Sequence, residues 1–193
     1  MMNKVLCSLL LFLSISCGLQ GRNANYARDS KRIWLDSKEI HHGEYVWKMK
    51  KAGDVISSAE KVSTLGYDTS DWLSAIVPGT VLNSLVYNKE YPEPYYGVNN
   101  KLESGKIPDI SKVGREFYTY WFRTEFDVPE SFAGKTIWLQ PDGVNYRAEI
   151  WVNGNLLSTL NGMFISDYIN VTDFVKVGRK NILAVKVYPV DVP

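Results

Sequence analysis

"DGVNYRAEIWVNG", residues 142–154, carries two interleaved patterns. Val144, Tyr146, Ala148, Ile150 and Val152 form an apolar row, and Asn145, Arg147, Glu149 and Trp151 form a second row of amide, cation, carboxylate and indole. Successive side chains of a strand point to opposite faces, so the alternation predicts a strand with one buried face. Asn153-Gly154 follows, and that dipeptide tolerates the left-handed backbone of a tight hairpin turn. A plain solvated face would more often hold Lys, Thr and Ser. Three uses remain open for the polar row: direct contact with a sugar, bracing of a neighbouring domain, or hydrogen bonding within the fold.

Working outward, the same period recurs. "FYTYWFRTEF" (117–126) places Tyr118, Tyr120, Phe122 and Phe126 on one face, with Thr119, Trp121, Arg123 and Glu125 on the other. "EYVWKMKK" (44–51), "KTIWLQ" (135–140) and "DYINVTDFV" (167–175) read as further strands. "NILAVKVYP" (181–189) reads as the last, with Leu183, Val185 and Val187 inward. Between the strands, "TVLNSLVYN" (80–88) has apolar residues at helical spacing behind Thr80, a natural N-cap. Short strands separated by Gly, Pro and Asn turns argue for an all-β antiparallel sandwich with one short helix, and against alternating βαβ units. A loop rich in Pro, Gly and Asn runs from Lys89 to about Arg115 and holds "YPEPYYGVNN". Loops of that length within a compact domain are commonly functional or disordered.

The amino terminus has a different character. "MMNKVLCSLLLFLSISC" bears one charge, Lys4, ahead of an apolar run. That is the layout of an export signal, and the run is too short for a permanent membrane span. "SISC" also resembles a lipobox, which would make Cys17 the acylated first residue of a lipoprotein; cleavage nearby with Cys17 unmodified is the alternative. Residues 1–17 are therefore read as the leader, 18–32 as a small, polar tether, and 33–193 as the sandwich. Location follows: exported, in the periplasm or lipid-anchored at a bacterial cell envelope.

Both cysteines, Cys7 and Cys17, fall in the leader, so an internal disulfide is not expected. The whole chain has 22 basic and 21 acidic side chains, and removing Lys4 leaves 21 against 21. A balanced surface of this kind excludes nucleic acid as an expected partner, since such binding needs a basic face. Contact with a membrane is expected only through a lipid on Cys17. Six Trp, twelve Tyr and seven Phe exceed what a core of this size absorbs, and the surplus is compatible with stacking on sugars.

Much chemistry is missing. The two histidines are the adjacent pair His41-His42, which a strand would point in opposite directions, so no metal site is expected. No nucleophile elbow, phosphate loop or dinucleotide fingerprint is present, and no cofactor is expected. Carboxylates are plentiful, but sequence does not pair them into a glycosidase dyad. Glu149 lies two residues from Arg147 on one strand face, which predicts an ion pair. No residue is nominated as catalytic.

Four blocks taken together resemble a known family: "WLSAIVPGTVLNSLVYNKEYPEPYYGVNN", "YWFRTEFDVP", "GKTIWLQPDGVNYRAEIWVNGNLL" and "GMFISDYINVTDFVKVGRKNILAVKVYP". In order and spacing they are similar to the N-terminal sugar-binding domain of glycoside hydrolase family 2. The Pro-Tyr-Tyr-Gly loop and the hairpin look most like the exo-β-D-glucosaminidase and β-mannosidase branch. The resemblance implies a jelly-roll sandwich of the galactose-binding type, β-glycosides as partners, and immunoglobulin-like and (β/α)₈ barrel domains downstream, the barrel holding two catalytic glutamates. It further implies that Tyr95, Tyr96 and Asn99 lie near substrate, and that Asn145, Arg147, Glu149 and Trp151 face other domains. The expected function is the sugar-binding domain of an exo-acting β-glycosidase, truncated before its barrel and inactive alone. A free-standing carbohydrate-binding lipoprotein is the alternative.

Overall fold

A computed structural model describes residues 13–18, 31–40, 43–163 and 165–190. His41 and His42, and residues 19–30 of the tether, lie outside the described residues. In chain order the strands are β1 (Leu13–Gly18), β2 (Lys31–Trp34), β3 (Trp47–Lys51), β4 (Leu73–Ser74) and β5 (Tyr120–Asp127). They continue with β6 (Thr136–Pro141), β7 (Arg147–Val152), β8 (Asn155–Asn161), β9 (Ile169–Asn170) and β10 (Lys180–Tyr188). These strands pair antiparallel into a four-stranded sheet, β2-β1-β6-β9, and a six-stranded sheet, β4-β3-β5-β10-β7-β8. The fold is an all-β sandwich, as the alternation predicts.

The inner faces of both sheets fill one core. Phe122 and Phe126 of β5, Ile150 and Val152 of β7, and Leu183, Val185 and Val187 of β10 meet Ile137 and Leu139 of β6 there. Strand register keeps the apolar rows together: Val185 stands opposite Phe122 on one side and Ile150 on the other. The regular part of β7 begins at Arg147, three residues later than the alternation suggests; Val144 still reaches the core, but Tyr146 is only half-buried.

Asn153 and Gly154 both have positive φ (48° and 88°), the backbone of a primed hairpin turn. Each also has a tertiary reason to be there. The Asn153 amide donates to Phe174 O (2.7 Å) and Asn181 Oδ1 (2.8 Å), and its Oδ1 accepts from Ile182 N (2.9 Å). Gly154 N donates to Ser63 O (3.0 Å), and a Cβ on Gly154 would come within 3.3 Å of Thr64 Cγ2. The turn is thus clamped between β10 and the segment 52–72.

That segment covers part of the outer face of the six-stranded sheet. It holds a single helical turn, α1 (Ala59–Val62), capped by Ser58, whose hydroxyl accepts from Lys61 N. Val62 and Trp72 from the segment pack with Trp121, Trp151 and Ala184 from the sheet in a second buried cluster. Three indoles bury too much apolar surface to be left in water, and the covering segment removes them from it. The predicted helix is α2 (Val81–Tyr87), with the Thr80 hydroxyl accepting from Asn83 N at 2.8 Å. A further single turn, α3 (Ile110–Val113), lies in the long loop, so among the described residues the sandwich carries more helix than the one element expected.

β1 draws on the segment whose composition reads as a leader. Its backbone pairs with β6 over six residues, Leu13 opposite Pro141 through Gly18 opposite Thr136, and with β2 over four. Cys17 stands opposite Ile137 in that register. β2 (Lys31–Trp34) takes its first two residues, Lys31 and Arg32, from the end of the segment expected as tether. A short apolar run suits a leader and a sheet strand equally, and pattern alone does not choose between them.

Candidate functional site

Cys17 apart, the residues singled out by sequence fall in two regions: the loop after α2, and the outer face of β7 with Asn145 just before it.

The loop is anchored at both ends. Asn88, at the C-terminus of α2, bonds both backbone groups of Ser74 (Nδ2 to O, 2.8 Å; N to Oδ1, 3.2 Å), fixing the loop's start to β4. The Tyr118 hydroxyl donates to Pro108 O at 2.6 Å and fixes its end. Between them Asn99 is the internal clamp. It is 6% exposed; its Nδ2 donates to Glu93 O (2.9 Å), and its Oδ1 accepts from Lys106 Nζ (2.9 Å). The Asn99 amide is therefore occupied within the loop. Tyr95 and Tyr96 behave in the opposite way, with 75% and 78% of their surfaces exposed. The loop presents two aromatic rings to solvent from a hydrogen-bonded base, an arrangement able to stack on the C–H face of a pyranose.

On β7, Arg147, Glu149 and Trp151 do point away from the inter-sheet core, as the alternation requires, and the structure gives each a local partner. The Trp151 indole is 8% exposed, covered by the 52–72 segment, and its Nε1 donates to Glu149 Oε2 at 3.2 Å. The other Glu149 oxygen accepts from the Tyr188 hydroxyl. Arg147 lies over the Tyr188 ring, 4.3 Å from guanidinium carbon to centroid. Among the described residues no ion pair joins Arg147 to Glu149. Register explains the replacement: Tyr188 stands directly opposite Arg147, and Lys186 opposite Glu149. Lys186 in turn sits 5.2 Å from the Tyr188 ring and 5.7 Å from Trp121. Burial, then the bond to Glu149, pushes the Tyr188 phenol well above its ordinary value. Asn145 precedes the strand and is half-buried.

Tyr188, Lys186 and Trp121 were not among the residues nominated from sequence. Their shared face with Glu149 was latent in the alternation of β5 and β10, but nothing local says which strands pair. Among the described residues no cluster of three or more His, Cys, Asp or Glu is placed to hold a metal.

Residues 47–191 match the family model described as glycosyl hydrolase 2 galactose-binding domain-like. The chain belongs to this family. It is 41% identical over 125 residues to a mannosylglycoprotein endo-beta-mannosidase of Lilium longiflorum, covering 65% of this chain and 13% of that protein. An exo-beta-D-glucosaminidase of Amycolatopsis orientalis is 30% identical over 139 residues, covering 70% of this chain and 12% of the relative. The crystal structure of the exo-chitosanase of Amycolatopsis orientalis superimposes with a TM-score of 0.61 at 27% identity, over 77% of this chain and 16% of that one. The chain thus spans about an eighth of the length of these two curated relatives.

Proposed function

We propose that this family 2 domain serves an exo-acting β-glycosidase as its sugar-binding sandwich, with bond cleavage performed by an immunoglobulin-like and barrel assembly outside residues 1–193. The observation that carries the reading is the family match across 47–191, joined to relatives that are glycosidases many times longer than the match. The exo mode is supported by the glucosaminidase relative, whereas the lily relative is named as an endo enzyme. Tyr95 and Tyr96 are the stacking residues of this reading, and Asn99 holds their loop in shape. Arg147, Glu149 and Tyr188 form a braced polar face against which a neighbouring domain can rest, with Asn145 at its margin. The domain is exported, and Cys17 is its site of lipid attachment.

Retaining hydrolysis needs two carboxyl groups about 5–5.5 Å apart, one of them free to give up a proton to the leaving oxygen. Glu149 does not suit that part, because both its oxygens accept bonds from side chains of the fold. The test is to assay purified chain against aryl β-glucosaminides, β-mannosides and β-galactosides, alone and after joining it to a family 2 barrel that lacks its own sandwich. No turnover alone, with activity restored in the joined protein and reduced by Tyr95→Ala with Tyr96→Ala, supports the reading. Turnover by the chain alone that vanishes on replacing one carboxylate overturns it.

A further inference from the structure

The 52–72 segment covers only part of the outer face of the six-stranded sheet. Where it stops, a cleft of about 540 Å³ opens over β3, β5 and β10. Its floor holds Lys48 of β3, Arg123, Glu125 and Asp127 of β5, and Lys180 of β10, with Glu44 on one wall. Register explains the cluster, because Lys48 stands opposite Arg123, and Lys180 opposite Asp127. Three cations and three carboxylates therefore share one concavity with their signs interleaved.

The floor is built, not loose. Arg123 is 4% exposed; its Nε donates to Val62 O and its Nη2 to Thr64 O, both at 3.0 Å, which fixes the guanidinium in place. Its Nη1 lies 3.8 Å from Glu125 Oε1, and Lys180 Nζ lies 3.7 Å from Glu125 Oε2. Glu125, in the cleft lining, is thus held between two cations. Tyr45 also lines the cleft, and burial, with Glu44 and Asp127 nearby, raises its phenol above the ordinary value.

We propose that this cleft binds a neutral polyhydroxyl ligand, a mono- or disaccharide, using residues other than the Tyr95–Tyr96 loop. The charge pattern selects the ligand class. The lining balances three cations against three carboxylates, so it offers no net charge to draw in an ion of either sign. A hydroxyl group both donates and accepts, and can take a bond from Lys48 or Lys180 while giving one to Glu125 or Asp127. Vicinal hydroxyls repeat that demand at short spacing, as the floor repeats its supply. The volume lies within the usual range for small-molecule sites, roughly 300–1,000 Å³. The proposal rests on the carbohydrate reading above and adds a second place for the sugar.

The test is an amide-resolved NMR titration of the full chain with lactose, with glucosamine and glucuronate as charged probes. Expected are saturable lactose shifts in the millimolar range at Lys48, Thr69 and Glu125, larger than those from either charged sugar. Glu125→Ala should weaken lactose binding roughly ten-fold, the loss of a hydrogen bond to a charged group. Val46→Trp, at an exposed rim position, should block the cleft while leaving the Glu125 ion pairs intact, so a folding defect in the first variant does not decide the matter. Tyr95→Ala with Tyr96→Ala should leave these shifts unchanged. Lactose shifts confined to the 93–99 loop overturn the cleft proposal and leave the glycosidase reading standing. Tighter binding of glucosamine or glucuronate than of lactose overturns it, as does the absence of any lactose shift; barrel-joined activity still tests the glycosidase reading separately.

Discussion

The Tyr188 hydroxyl donates to Glu149, so the last strand is bolted to the hairpin across the outer face of the sheet. Trp151 Nε1 supplies the second bond to the same carboxylate, at 3.2 Å. One acid thereby holds a phenol and an indole from two neighbouring strands, and the indole belongs to the buried cluster beneath the 52–72 segment.

Replacing that acid should be felt, but less than a hole in the core. Glu149→Gln leaves a single acceptor oxygen for two donors and should cost about 1 kcal/mol. Ile150→Ala, one residue on and fully buried between the sheets, should cost about 2–5 kcal/mol. Urea melts of both variants provide the comparison. A greater loss from Glu149→Gln would contradict the facing of β7.

Arg123 ties the covering segment to the sheet through the carbonyls of Val62 and Thr64. Arg123→Met keeps much of the side-chain volume and removes both donors. It should destabilise by about 1–3 kcal/mol, because the Val62 carbonyl is left buried without its partner. Hydrogen exchange should speed up selectively in residues 59–64, and unchanged exchange there would mean that the indole cluster alone holds the segment.

Alkaline pH should weaken the fold. Burial pushes the Tyr120 phenol up to about 12 from its ordinary 10.0, and raises Tyr118 and Tyr188 in the same direction. Between those two pH values the folded state keeps the Tyr120 proton that the unfolded chain releases. Stability is therefore fully present below pH 10 and falls as pH rises through the window, by about 1.4 kcal/mol per pH unit for this one phenol. Tyrosinate absorbance followed against pH, alongside melts, checks this. Tyr188→Phe should remove one late-titrating group, and ordinary titration of every tyrosine would refute the burial argument.

The proposed processing of the amino terminus has a structural counterpart. Acylation at Cys17 would show in the mass of the mature chain recovered from a bacterial envelope, and an unmodified N-terminus beyond Cys17 would rule it out. A chain beginning at Gly18 lacks all but one residue of β1, the strand that joins β2 to β6. Amides of residues 136–140 should then exchange faster than in the full chain, and equal rates would show that β6 does not depend on β1.

Much of the architecture is legible in the sequence. Period-two alternation at 120–126, 147–152 and 182–187 told inner from outer face residue by residue, since a strand has only two faces to offer. Thr80 and the Asn153-Gly154 turn were equally readable, because caps and turns depend on residues adjacent in the chain. The pairing of strands was not. Glu149 meets Tyr188 instead of Arg147, Asn99 spends its amide on Glu93 and Lys106, and Trp151 lies under a segment some 80–100 residues earlier in the chain. The mixed-charge cleft likewise gathers Glu44 and Lys48, Lys180 of β10, and Arg123, Glu125 and Asp127 of β5. Local pattern states which way a side chain points. Which other side chain it meets depends on sheet register and on the burial of three indoles, both settled by packing between residues far apart in the chain.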